Sequence, residues 1–155
     1  MSTEPEPAMG ESATDISNAM LEETRAAYIA CDFERFAACF LFPQLVGTFS
    51  GDRVVADKSG LRDVFDAMCA HHKHAGVMDL YRLTINASFD GPDAIRTTFL
   101  TRDVLQGHVF GDEVVGHGVL SRVDGRWKIL ESRYATASQA VEEVLMPRNT
   151  RSGHA

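Results

Sequence analysis

His117, Asp103, Glu131 and Arg133 are the residues of this 155-residue chain whose types and spacing fit acid–base chemistry on a small molecule. His117 shares strand parity with Val115 and Val119, and Gly116 and Gly118 beside it leave space around the backbone. A neutral imidazole with a pKa of about 6.5 accepts or donates a proton near neutrality, and Asp103 or Glu131 would orient it as the second member of a dyad. Asp103 follows Phe99 and Thr101 at one parity. Trp127, Ile129, Glu131 and Arg133 form another alternating series, apolar at its start and polar at its end. A partly polar cavity needs such a series: Arg133 suits a carboxylate or enolate, and Glu131 a mobile proton. The catalytic candidates are therefore His117, Asp103 and Glu131, with Arg133, Trp127, Tyr28 and Phe99 as substrate-binding candidates.

Plainer readings stand beside these. Glu131 and Arg133 can be a mutual ion pair, His117 a satisfied structural histidine, and Asp103 a surface group neutralised by Arg102 or Arg96. Tyr28 fits a packed aromatic that sends only its hydroxyl to a partner. His71-His72-Lys73-His74 invites a metal reading, because His71 and His74 share a helix face, but a third ligand is missing; cations in a last helical turn fit the helix dipole, and the run reads as solvated capping residues. Cys31, Cys39 and Cys69 form no Cys-x-x-Cys pair and fall within apolar helical patterns, so they read as buried, reduced thiols. No metal and no cofactor is implied.

The elements that must position these groups are legible from periodicity. Residues 1–13, rich in Pro, Glu, Ser and Gly, read as a disordered acidic tail. Ile16, Met20, Ala27 and Cys31 predict a helix starting near Thr14 or Asp15. Asp32 then caps a second helix over Phe33–Phe40, which Pro43 prevents from continuing. Gln44–Phe49 and Arg53–Ala56 form a small hairpin across Ser50-Gly51-Asp52. Leu61, Val64, Phe65, Met68 and Cys69 predict a third helix from Ser59 to about His74, ended by Gly76. Tyr81, Leu83, Ile85, Ala87 and Phe89 then alternate with polar residues as a half-buried strand, with the apolar set toward the core. Strands Ala94–Leu105, Val114–Val123 and Trp127–Thr136 follow as an antiparallel meander, the last two joined by a tight Asp124-Gly125 turn. Ser138–Met146 reads as a last amphipathic piece, and 147–155 as a flexible tail.

Composition bounds the function. One domain over 14–146 fits the length, and 45% hydrophobic residues suffice for a core. A net charge of −7 with scattered basic residues opposes nucleic-acid binding. No apolar run approaches the roughly 20 residues needed to span a bilayer, and the N-terminus lacks a signal-like pattern, so a cytoplasmic protein without a membrane partner is expected.

The element order, with Tyr28-Ile29-Ala30-Cys31-Asp32-Phe33-Glu34-Arg35-Phe36 and Val123-Asp124-Gly125-Arg126-Trp127-Lys128-Ile129, resembles the nuclear transport factor 2-like superfamily from about Thr14 to Met146, and its SnoaL-like branch in particular. The resemblance implies a cystatin-like α+β cone: a strongly curved, mostly antiparallel sheet wrapped around the N-terminal and central helices. It implies a homodimer and a pocket for a small apolar molecule. The activities implied are those of a cofactor-independent isomerase, cyclase or dehydratase. A noncatalytic homodimerisation or ligand-binding module, and the small subunit of an aromatic-ring dioxygenase, are the alternatives. Ketosteroid isomerase chemistry does not carry over. Its first-helix tyrosine falls near Glu23, its general base near Gly47 or Thr48, and its second acid near Gly118 or Val119.

Overall fold

Residues 10–48 and 51–135 are described by the computed structural model, and they form three α-helices, one 3-10 turn and six strands. The tail read over 1–13 lies largely outside the described residues, and the piece over Ser138–Met146 and the tail over 147–155 lie wholly outside them.

Side-chain caps set the helix boundaries. The Ser12 hydroxyl accepts from the Asp15 N–H, so α1 spans Ala13–Ile29 and begins slightly earlier than periodicity predicts. Asp32 caps α2, Phe33–Ala37, by accepting from the Arg35 N–H. This helix is shorter than the predicted Phe33–Phe40, because Phe40 opens strand β1, Phe40–Thr48, where its backbone pairs with Ile129. Strand β2, Gly51–Val55, returns beside β1. Asp57 caps α3, Lys58–Ala75, and Gly76 ends it in the left-handed region at φ 77°. Strands β3, Val77–Phe89, and β4, Ala94–Leu105, follow. The 3-10 turn Gln106–His108 leads into β5, Val109–Val123, and β6, Arg126–Ala135. Asp124 and Gly125 both have positive φ (53° and 76°), the geometry a tight β5–β6 turn requires.

The strands lie in the order β2-β1-β6-β5-β4-β3, with β1 and β6 parallel and every other pair antiparallel. Bulges bend this sheet: Ile85 is extra on β3, Leu130 is extra on β6, and the β4–β5 register slips beside Gly111. The result is a curved α+β cone holding the helices on its inner face.

One predicted facing is reversed. Leu80 and Thr84 are buried on the inner face of β3, whereas Tyr81, Leu83 and Ile85 are 44%, 43% and 56% exposed on the outer one. Period-2 alternation identifies two faces but not which one the helices cover, and the Ile85 bulge exchanges them partway, so that Ala87 packs back inside. The cysteines divide likewise. Cys39 is buried and Cys69 partly so, and burial pushes both thiols up to about 11. Cys31 is exposed, correcting its expected burial, because the chain turns left-handed there (φ 56°) just beyond α1.

Two apolar clusters form the core. The larger gathers Tyr28, Phe33, Phe36 and Phe65 from the helices with Val46, Val55 and Leu80 from the sheet. The smaller joins Ala13 and Ile16 to Ile95 and Leu120, with Trp127 and Ile129 against them. Ser17 ties α1 to the sheet between them: its hydroxyl lies 2.7 Å from both the Thr84 and the Thr97 hydroxyls.

Candidate functional site

Between the two clusters lies a cavity of about 180 Å3, bounded by α1, the end of α3 and the inner face of β3–β6. Met20, Leu21, Phe36, Phe40, Met68, Leu80, Phe99, Leu120 and Ile129 make most of its wall apolar. Into this wall the fold sets Tyr28, His72, Asp103, Arg82, Thr24 and Thr101.

Tyr28 arrives from the buried stripe of α1, and His72 from the last turns of α3, where it continues the stripe of Leu61, Phe65 and Met68. The Tyr28 hydroxyl and His72 Nδ1 form a close hydrogen bond, with the rings edge to face at 5.3 Å. On the opposite side of the imidazole, His72 Nε2 stands 3.6 Å from an Asp103 carboxylate oxygen. Asp103 reaches the inner face because Thr97, Phe99, Thr101 and Asp103 continue one parity along β4.

Burial sets the protonation of this chain. It holds the His72 pKa below the ordinary histidine value, with Asp103 pulling the other way and His71 adding to the lowering. Burial also pushes the Tyr28 phenol far above its usual range, helped by Cys69 and Asp103. The resting arrangement is a neutral imidazole beside a protonated phenol. With the Nδ1–H donating to the Tyr28 oxygen, the Nε2 lone pair stands beside the Asp103 carboxylate, which favours its taking a proton, and the phenolic O–H is left to donate one. Asp103 then stabilises the imidazolium that forms.

Arg82 occupies the neighbouring wall. Its Nη1 donates to the Thr24 hydroxyl at 2.8 Å and its Nε to the Thr101 hydroxyl at 3.1 Å, and the guanidinium lies 5.4 Å from the centre of the Phe99 ring. Burial lowers its pKa from the ordinary arginine value.

The predicted site residues separate into two groups. Tyr28, Phe99 and Asp103 are brought together in the cavity. His117 lies exposed on the outer face with its Nδ1 2.9 Å from the Thr98 hydroxyl, a correction with a clear cause. The inward parity of β5 belongs to Gly116 and Gly118, and the space these provide is filled by Phe99. A Cβ on Gly116 would stand 2.5 Å from the ring. Strand alternation predicts Glu131 and Arg133 facing inward with Ile129. The extra residue Leu130 reverses the parity, so Ser132 and Tyr134 turn inward instead. Glu131 borders the cavity, but its carboxylate lies 3.7 Å from Arg133 Nε, while Arg133 Nη1 bonds Asp52 at 2.7 Å. Trp127 packs in the smaller core cluster against Phe89 and under Arg122, outside the cavity lining.

His72 and Arg82 are the groups that strand parity and helix capping missed. The helix-dipole argument makes His72 a solvated cap, although it stands four residues beyond Met68 and seven beyond Phe65, the spacing of one helix face. Arg82 belongs to the polar set of the β3 alternation, which that pattern turns away from the core. Glu23, near which the ketosteroid isomerase resemblance puts that tyrosine, is half-buried and paired with Arg35 at 2.7 Å.

No protein-family model matches the chain, and no curated protein matches it in sequence. Solved structures do match in fold. A protein of unknown function with a cystatin-like fold from Nostoc punctiforme PCC 73102 superposes with a TM-score of 0.61 at 15% identity, over 80% of this chain and 90% of that one. An NTF2-like protein of unknown function from Shewanella oneidensis MR-1 gives 0.58 at 12% identity, over 79% and 98%. A ketosteroid isomerase-like protein from Erwinia carotovora atroseptica SCRI1043 gives 0.60 at 12% identity, over 83% and 98%. The chain has the cystatin-like, NTF2-like fold.

Proposed function

We propose that the cavity binds a small, mostly apolar molecule and moves a proton on it without a cofactor, with His72 as the base. The observation that carries this reading is His72 held between Tyr28 and Asp103 at the wall of an apolar cavity. His72 Nε2 takes a proton from a carbon next to a carbonyl, the Tyr28 O–H donates to the oxygen on which negative charge develops, and Asp103 steadies the imidazolium. Return of the proton to another atom completes an isomerisation. Loss of a leaving group instead gives a dehydration, and attack by the carbanion a cyclisation. The role first assigned to His117 passes to His72, and Asp103 keeps its place in the dyad.

Deuterium incorporation from D2O at the α-carbons of small aryl ketones, followed by proton NMR, tests this reading. The expected result is catalysed exchange that falls by about 10²- to 10⁴-fold in His72→Gln. Ketone binding without catalysed exchange in the unaltered protein would overturn the catalytic reading and leave a binding module.

We also propose that two copies of the chain associate through the outer sheet face. Tyr81, Leu83 and Ile85 support this, as large apolar side chains left open on β3. Charges of both signs, Arg102 with Glu113 and Arg133 with Glu131, provide a polar rim for a self-complementary contact.

A further inference from the structure

We infer that the molecule bound in this cavity carries a carboxylate, and that Arg82 is the group that receives it. The inference rests on the reading of the cavity as a ligand site, and it adds the chemical class of the ligand. Arg82 lines the cavity, yet its hydrogen bonds go to two neutral hydroxyls, those of Thr24 and Thr101. The Thr24 hydroxyl is itself spent on the α1 carbonyls of Met20 and Leu21, so it serves Arg82 only as an acceptor. Of the described carboxylates nearby in the sequence and the fold, Asp79 is paired with Arg25, Glu113 with Arg102 and Glu131 with Arg133, while Asp103 stands beside His72, its oxygen 3.6 Å from Nε2.

A guanidinium partly withdrawn from water at a cavity wall, with neutral partners among the described residues, is poorly compensated until a counter-charge arrives. Burial already destabilises the charged form of Arg82, and among the described residues no carboxylate is one of the groups acting on it. A ligand carboxylate supplies that charge, and its planar pair of oxygens matches the guanidinium fork. The chain's net charge of −7 gives no general attraction for anions, so the cation is a local provision. One arginine in a mostly apolar wall that also carries Asp103 suits a monoanion better than a doubly charged phosphate.

Size narrows the class further. A dry cavity of about 150 Å3 holds benzene. The 180 Å3 here therefore takes one ring with a short acidic side chain. Bound through Arg82, such an arylalkanoate presents the rest of its body to the wall that carries Tyr28 and His72.

Calorimetric titration of the full chain with 3-phenylpropanoate and with its neutral amide, 3-phenylpropanamide, tests the inference without any need for turnover. We expect the acid to bind about tenfold more tightly than the amide, the size of one charge-assisted contact. In Arg82→Gln the acid should fall to the level of the amide, with amide binding unchanged. Retained amide binding together with an unchanged circular dichroism spectrum in Arg82→Gln guards against a loss of folding in that variant. Equal binding of acid and amide to the unaltered protein would overturn the carboxylate inference and leave the cavity reading standing. A preference that survives in Arg82→Gln would remove Arg82 from the role. Binding of neither probe would overturn the inference together with the cavity reading. Failure of the deuterium-exchange test would by contrast leave this selectivity untouched.

Discussion

His72 makes a pH dependence at the scale of a single residue. Its folded pKa is depressed below the ordinary 6.5 chiefly by burial, so the unfolded chain binds this proton more readily than the folded one. The stability it contributes is complete above about pH 6.5 and is lost as pH falls through the lower folded value. The groups facing the ring are Tyr28, Asp103 and His71, and among these only Asp103 favours the imidazolium. Chemical denaturation at a series of pH values should therefore show stability falling between pH 7 and 5, with a flatter profile in His72→Gln. Identical slopes would mean that other groups carry the acid sensitivity. The partnership itself was half legible in the sequence. Tyr28 was recognised as an aromatic whose hydroxyl needed a partner, and His72 lay on the apolar face of α3. What hid the pairing is that the two residues are 44 positions apart and meet only when α1 and α3 converge over the sheet.

At the scale of elements, the bulges decide which chemistry faces the cavity. Phe99, Thr101 and Asp103 share one face because the register slip at Asp103 places its surplus residue on β5 and leaves the β4 alternation unbroken. Glu131 and Arg133 were grouped with Ile129 across Leu130, where the extra residue reverses the facing. The helix caps at Asp32 and Gly76 are readable because each is a local interaction, whereas the Phe40 backbone is claimed by a strand more than eighty residues away. The β3 bulge is pinned from α1: the Thr84 N–H, next to the extra Ile85, donates to Asn18 Oδ1 at 3.1 Å. Asn18→Ala leaves that N–H without its acceptor and should cost about 1–3 kcal/mol in unfolding free energy, with amide exchange accelerated at Thr84. An unchanged stability with continued protection of that amide would show that β3 holds its bulge without help from the helix.

For the molecule as a whole, the sheet divides two tasks between its faces. The inner face and the helices enclose the cavity, and the outer face displays Tyr81, Leu83 and Ile85. The curved α+β plan was legible because a helix–strand order with a late hairpin depends on periodicity and turn residues, which are local. The side on which the helices pack was not, since Leu83 and Thr84 exchange roles under a rotation that leaves the pattern unchanged. Leu83→Glu places a charge at the middle of the open apolar row. Sedimentation velocity should show the unaltered chain as a dimer and the variant as a monomer with the same circular dichroism. A monomer before substitution, or a dimer that tolerates the charge, would sink the outer-face assembly. Trp127, the single tryptophan, packs in the smaller cluster beside Ile129, whose side chain also forms part of the cavity wall. All indole fluorescence thus originates one residue-width from the cavity, so occupancy of that space and loss of the fold report through one built-in optical probe, with no label attached.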